Sequence, residues 1–401
     1  MIYLACFLLS ALFAFFAAKA QSRWKTIVFS FLSIILPVLL AGLRDISVGI
    51  DTSNYYDMER YWATASVVDS VKEYMAFYLP KGYGEVLFAL LVGVMGQIGN
   101  FHLFLFVVHG WIITCVYIGA FRLRKYIQPW LVLLLFYLAF YSHSLNVMRQ
   151  YMALSIVFVF MADLLEKKYL RYCIGVVLAT MFHTSGFLTI GLLVIHVIIN
   201  GDFRRVLPRF DPSMRKRKLF IFVIVAAVVL LFNPVVRLLV SEEILHKKYM
   251  FYVKSPFKGY NLLMTLCLLA EMIPLMLLRK NLKRRTPVFD FFFTTSVVYL
   301  ILYQITAFVT YGKRIAACCS FANLVTLALL SQGLDEEIAF VTPRWLGGKK
   351  ITLFKFPQRF DEKNRRILAT VLVIGAVTFY WAYVYVLRNS SETIPYRFFF
   401  Q

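Results

Sequence analysis

Apolar runs long enough to cross a bilayer follow one another along almost all of this 401-residue chain, and the charged residues fall in the gaps between them. A helix needs about 20 apolar residues to span the hydrocarbon layer, with a range of roughly 17–25. Twelve segments read as such spans: 2–18, 26–43, 102–121, 129–145, 147–165, 170–183, 185–200, 219–238, 261–278, 288–309, 315–331 and 367–386. The chain is 61% hydrophobic and only 16% charged, where soluble domains carry about a quarter of charged residues. Water could not hide that much apolar surface, but a bilayer removes the need to. Inside it every backbone N–H and C=O must be satisfied within the segment, which selects helices. The expected fold is an all-α polytopic membrane protein, a single transmembrane domain over 1–401. The first run, Ile2 to Ala18, lacks the basic start of a signal peptide and is followed at once by another apolar run, so it reads as the first span.

Charge supplies the orientation. The formal net charge is +22, from 43 Lys and Arg against 21 Asp and Glu. Most of the basic residues sit in Lys19–Lys25, Arg122–Lys125, Lys167–Arg171, Arg204–Lys218, Arg279–Arg285 and Arg344–Arg366. They punctuate apolar runs and do not form one soluble basic module, which argues against nucleic acid as a partner. The positive-inside rule places these loops in the cytoplasm. Lys19–Lys25 and Arg122–Lys125 share a side only if an even number of crossings separates them. Spans 26–43 and 102–121 already make two, so the further apolar segment 85–98 is expected to be re-entrant or interfacial. Both termini then face outward, as does the long loop 44–84, while 332–366 is a cytoplasmic loop with short amphipathic segments. The six cysteines lie in apolar runs with neither zinc-site nor disulfide-framework spacing.

With that orientation, unusual polar residues gather on the outer face. Arg44-Asp45 opens the first outer loop and leads through Gly49 to Asp51, Thr52 and Tyr55. Glu85 closes that loop. Asn146, Arg149 and Gln150 stand at the outer start of one span, and Phe182-His183-Thr184-Ser185 forms a tight outer turn. Lys313-Arg314 occupies another outer end, and Pro395-Tyr396 lies in the C-terminal tail.

Arg-x-x-x-x-Gly-x-Asp-Thr-x-x-Tyr (Arg44, Gly49, Asp51, Thr52, Tyr55) resembles the signature of the EpsG-type polysaccharide polymerases, relatives of the Wzy O-antigen polymerases. Glu85, Asn146-x-x-Arg149-Gln150, Phe182-His183-x-Ser185 and Pro395-Tyr396 match that family in the same order; Lys313-Arg314 matches less cleanly. The resemblance implies a membrane glycosyltransferase of GT-C type in the bacterial inner membrane. Such an enzyme polymerises undecaprenyl-diphosphate-linked oligosaccharide repeats with its active site facing the periplasm or exterior. It also implies a chain-length regulator as a partner. Arginine suits diphosphate at a membrane surface, because its planar fork donates paired hydrogen bonds and keeps its charge. Arg44, Arg149 and Arg314 are the candidates for that task, with Thr52, Tyr55, Asn146, Gln150 and Tyr396 as further substrate-binding residues. A sugar hydroxyl needs a base to remove its proton. Asp51 or His183 can supply it, and Glu85 is a third titratable candidate. Each also has a plainer reading: a turn or cap aspartate, a satisfied histidine, an interfacial carboxylate, and snorkelling anchors for the arginines.

The histidines at 102, 109, 143, 183, 196 and 246 are scattered without ligand spacing, so neither metal nor cofactor is expected. Glu271, three residues before Pro274, is a mid-span carboxylate and suits either an ion path or a kink-stabilising hydrogen bond. Asp163 and Arg237 read as structural. Two other activities fit the same spans: a ligase that passes glycan to a different acceptor, and a transporter or flippase of lipid-linked sugars.

Overall fold

Each of the twelve apolar runs becomes helical, and so does 85–98. The computed structural model describes residues 2–62, 66–78, 85–202, 213–242, 250, 262–307, 312–341 and 349–400. Among them seven helices are long and apolar enough to cross a membrane, or eight if the bent pair Leu262–Leu277 and Arg279–Arg285, which meet at 69°, makes one span. The other apolar runs form the shorter helices Val86–Ile98, Pro129–Ser144, Tyr169–Phe182, Thr184–Asn200 and Phe289–Tyr303. Most of the loop 239–260, with Glu243 and His246, lies outside the described residues.

The chain resolves into two compact units. The first comprises 1–193, 234–252 and 377–401. It begins with α1 (Ile2–Lys19) and α2 (Arg23–Gly42), an antiparallel pair. The stretch that follows holds α3 (Thr52–Trp62) and α4 (Val67–Tyr78). The short α5 (Val86–Ile98) ends on Gly99 in the left-handed conformation. Asn100 then caps α6 (Phe101–Arg122) by accepting from the Leu103 N–H at 3.0 Å, one of the orphan donors of a helix start. At 1.5 Å per residue the 13 residues of α5 span about 20 Å, short of the ~30 Å hydrocarbon thickness. Pro129 starts α7 (Pro129–Ser144), where its missing N–H costs nothing. A π-helical stretch at Tyr137–Tyr141 inside α7 carries two buried tyrosines. The Tyr137 hydroxyl accepts from Ser10 at 2.9 Å. The Tyr141 hydroxyl donates to the Pro37 carbonyl at 2.6 Å. The buried α8 (Met148–Leu165) packs against α6 and α9 (Tyr169–Phe182).

The second unit comprises 194–233 and 253–376. Its helices are α11 (Met214–Ser241), most of which belongs here, α12 (Leu262–Leu277), α13 (Arg279–Arg285), α14 (Phe289–Tyr303), α15 (Lys313–Leu330) and the start of α16 (Glu362–Leu387); α10 (Ile190–Asn200) joins it from the first unit. The loop 332–366 was expected to carry short amphipathic segments. It contains an antiparallel hairpin instead, β1 (Glu337–Val341) with β2 (Lys350–Lys355). The apolar, β-branched core of Lys-Ile-Thr-Leu-Phe-Lys suits a pleated ribbon better than a helix.

The basic loops behave as the charge argument expects. In the first unit Arg122 pairs with Asp163 at 2.7 Å and Arg171 with the same carboxylate at 3.9 Å, while Lys125 and Lys168 share Glu166 at 3.0 and 2.7 Å. In the second, Lys218, Lys283 and Arg279 converge on Asp290 at 2.6, 2.7 and 3.8 Å. Loops assigned to one side by composition thus meet within each unit. Asp163 is the structural residue it was read to be, and Glu271 accepts a hydrogen bond from Asn323 at 2.9 Å.

Candidate functional site

Four of the candidates chosen from sequence, Glu85, Arg149, His183 and Tyr55, meet in the first unit. Glu85 precedes α5 with φ +63°, a left-handed conformation that a non-glycine residue adopts at a cost. Its N–H donates to the Thr180 carbonyl of α9 at 3.2 Å, which fixes the carboxylate over the His183 turn. Arg149, in the first turn of α8, reaches Glu85 Oε2 at 3.1 Å. Its guanidinium also donates to the Tyr74 hydroxyl at 2.8 Å and to Tyr55, and it lies over the Phe88 ring. The Tyr74 hydroxyl donates to the same Oε2 at 3.1 Å. On the other side, Glu85 Oε1 accepts from the Thr184 N–H at 3.2 Å and its hydroxyl at 3.4 Å. His183 Nδ1 lies 3.5 Å from that oxygen. The side chain of Glu85 is 6% exposed and that of Arg149 20%, so the pair is dry on the acid side and open on the base side.

The electrostatics follow. Burial alone would raise the Glu85 carboxyl. Arg149 and His183, with the Thr184 N–H and the Tyr74 hydroxyl, outweigh burial and hold it below its ordinary value. Burial, by contrast, pushes the Tyr74 phenol up, despite the opposing pull of Arg149. The His183 turn is built on a helix break. α9 stops at Phe182, His183 is extended at φ −156°, and a 3₁₀ turn follows over Thr184–Thr189. A Cβ on Gly186 would stand 2.8 Å from the Ala179–Thr180 backbone, so only glycine permits the turn to fold back that closely. His183 Nδ1 accepts from the Ser185 N–H at 3.1 Å. The neutral ring therefore carries its proton on Nε2.

A second layer holds the loop beneath α3. Asp51 is half-buried at the start of α3, where its carbonyl accepts from the Tyr55 N–H at 3.2 Å and its Oδ1 faces the Asn54 amide at 3.5 Å. Asn146 is buried and works as a clasp: Oδ1 accepts from the Asp51 N–H at 3.4 Å and Nδ2 donates to the Ser391 carbonyl at 2.9 Å. Gly49 has φ +103°, and a Cβ there would lie 2.5 Å from Asn146 Oδ1 and 2.9 Å from Thr52 Oγ1. Buried Thr52 donates to the Val48 carbonyl at 2.7 Å. The C-terminal tail is woven into this loop: Gly49 N–H donates to Glu392, Asp45 N–H to Arg397, and Phe399 N–H to Leu43. Tyr396 pins the tail by donating to the Leu40 carbonyl at 2.8 Å.

Arg44 was expected at headgroup depth as a diphosphate ligand. Its side chain is instead fully buried, with Nη1 donating to Ala41 and Nη2 to Leu145 carbonyls, both at 3.1 Å. His109 Nε2 lies 3.5 Å from Nη1. Since His109 Nδ1 faces the Leu105 carbonyl, Nδ1 carries the ring proton and Nε2 accepts. Burial lowers the Arg44 pKa to about 10, which leaves it a cation at neutral pH. Its geometry suits fastening α2 to α7, not anion capture. Gln150 is buried in α8 beside Arg149. Arg314 lies half-buried in the first turn of α15, in the second unit. Sequence reasoning missed Tyr74, because a tyrosine in a mixed helix carries no spacing signal.

Fold and site together define a multi-pass α-helical membrane protein with a charged, aromatic-lined cluster inside its first unit. The chain belongs to the EpsG family, whose model matches residues 27–339, and this associates it with polysaccharide polymerisation in a membrane. No match was found among curated proteins or among solved structures. The described residues contain no group of three or more His, Cys, Asp or Glu placed to hold a metal.

Proposed function

We propose that the protein polymerises lipid-linked oligosaccharide repeats on the outer face of the bacterial inner membrane, moving a growing glycan from undecaprenyl diphosphate onto the sugar hydroxyl of an acceptor unit. The observation that carries this reading is the convergence of Glu85, Arg149 and His183 from three separate elements, in a chain whose family membership covers all three. Arg149 is the cation with an open side, and its fork suits a diphosphate oxygen pair. Glu85 receives donors on both oxygens and its proton affinity is depressed, which makes it a poor base and a good positioning residue. Asp51, half-buried above the clasp, takes the proton from the acceptor hydroxyl. The new bond forms from that oxygen to the anomeric carbon, and the bond from that carbon to diphosphate breaks, with the electron pair leaving on phosphate. His183 offers its Nε2 proton to the departing oxygen as a hydrogen-bond donor. No metal or cofactor enters this scheme.

The test is reconstitution of the purified protein with lipid-linked repeats, which should give longer glycans. Arg149→Ala and Asp51→Ala should each leave single repeats. Full chain length in both variants would refute the site assignment. A deletion strain separates this activity from that of a ligase: loss of a polymerase leaves single repeats attached, whereas loss of a ligase leaves none.

A further inference from the structure

Among the described residues, the hairpin between α15 and α16 presents exposed apolar side chains. Ile351, Leu353 and Phe354 of β2 are 42%, 53% and 50% exposed. The register pairs Ile338 with Phe354 and Ala339 with Thr352, which leaves Leu353 as the extra residue of a bulge. A bulge breaks strict alternation and re-aims side chains, so large apolar groups stand at adjacent positions 353 and 354. Phe354 meets Phe356 edge-on at 4.8 Å, and Phe356 stacks on Phe360 at 5.4 Å, which extends the patch. A two-stranded ribbon alone is marginal in water. In this one β1 lies against α12, while the apolar side chains of β2 stay exposed.

Charge and tether length say which surface suits them. Lys349, Lys355 and Arg359 are exposed around the patch. Among the acids nearby Glu336 is exposed and Glu337 half-buried, while three others have partners. Glu362 pairs with Arg366 at 2.8 Å and Arg285 at 3.4 Å, Asp335 pairs with Arg284 at 2.6 Å, and Asp361 caps the Asn364 N–H at 2.7 Å. Across 331–366 eight Lys and Arg stand against five Asp and Glu, so the segment is net positive. The links 331–336 and 356–361 join the hairpin to α15 and α16, both long and apolar enough to span. Each link reaches at most about 20 Å when extended, so the ribbon cannot leave the bilayer surface.

We propose that this hairpin is an interfacial anchor for anionic phospholipid. Ile351, Leu353 and Phe354 enter the headgroup–acyl boundary while Lys349, Lys355 and Arg359 engage lipid phosphates. The inference rests on the second unit alone and is independent of the polymerase reading. It is tested by hydrogen exchange of the full chain in nanodiscs of phosphatidylcholine and in nanodiscs rich in phosphatidylglycerol. The β2 amides should exchange about ten-fold more slowly in the anionic discs, and high salt should erase the difference. Leu353→Ser with Phe354→Ser should abolish it while exchange in α15 and α16 stays unchanged, which shows that the variant is folded. Equal exchange in the two lipids overturns the proposal. So does protection seen only in native membranes and lost on purification, which would point to an acidic protein partner.

Discussion

Two buried carboxylates, one in each unit, organise their surroundings in opposite ways. Glu85 has one cation, Arg149, and is otherwise satisfied by neutral donors. Asp290 has three cations, Lys218, Lys283 and Arg279, two of them about half exposed. The Glu85 cluster is balanced, aromatic and drawn from distant positions. The Asp290 cluster has surplus positive charge, and its cations come from the basic loops that orient the chain. An excess of cations on one carboxylate is how basic loops are stapled together. In the Glu85 cluster a single, partly exposed guanidinium is held against one acid and two tyrosine hydroxyls. Glu85, Arg149 and His183, three residues that carry the sequence resemblance, meet in the balanced cluster, and function is proposed there.

The largest expected effect comes from breaking the balanced pair. Glu85→Ala leaves the Arg149 charge largely buried and unpaired, which typically costs about 3–5 kcal/mol. Thermal unfolding in detergent should show the loss. Glycan chain length should collapse even at temperatures where the variant stays folded. Asp290→Asn should cost less, on the order of 2 kcal/mol, because Lys283 and Arg279 reach water and their repulsion is screened. It should lower yield while leaving chain length per molecule unchanged. If Asp290→Asn abolishes polymerisation at full expression and Glu85→Ala does not, the functional contrast between the clusters is wrong.

Gly49→Ala ranks next. It forces a side chain onto φ +103° and into Asn146, for about 1–3 kcal/mol. The damage should be local, with the loop and tail freed from each other. Proteolysis near 45–52 should accelerate while the melting of the helical bundle barely moves.

How far the sequence revealed this contrast depends on how each residue acts. Glu85, Arg149 and His183 were legible because charged and imidazole side chains at the ends of apolar runs have few reasons to be there. The helices were legible from apolar length, and the convergence of basic loops from the distribution of charge. The weave of tail and first loop was not legible. Ser391, Glu392 and Arg397 contribute backbone carbonyls, which any residue supplies. Arg44 was misplaced for a related reason: sequence shows a cation at a span end but not the carbonyls of Ala41 and Leu145 that turn it inward. The β2 strand was hidden because six residues inside a Gly- and Pro-containing loop give too short a period to read.

The smallest effect is acid sensitivity, and its sign separates the two halves of the Glu85 interaction. The folded Glu85 pKa lies below its ordinary value, and an unfolded glutamate titrates near about 4.3. A depressed carboxylate contributes stability that is fully present above the unfolded value and lost as pH falls through the folded one. The melting temperature should therefore hold steady from neutral pH down to about 5 and decline only below about 4.3. Glu85→Gln keeps hydrogen bonding but cannot titrate, so its acid decline should be shallower than that of the wild type. Parallel acid declines in the two proteins would mean that Arg149 does not hold the carboxylate in its charged form, and the balanced cluster would lose the property that distinguishes it from Asp290.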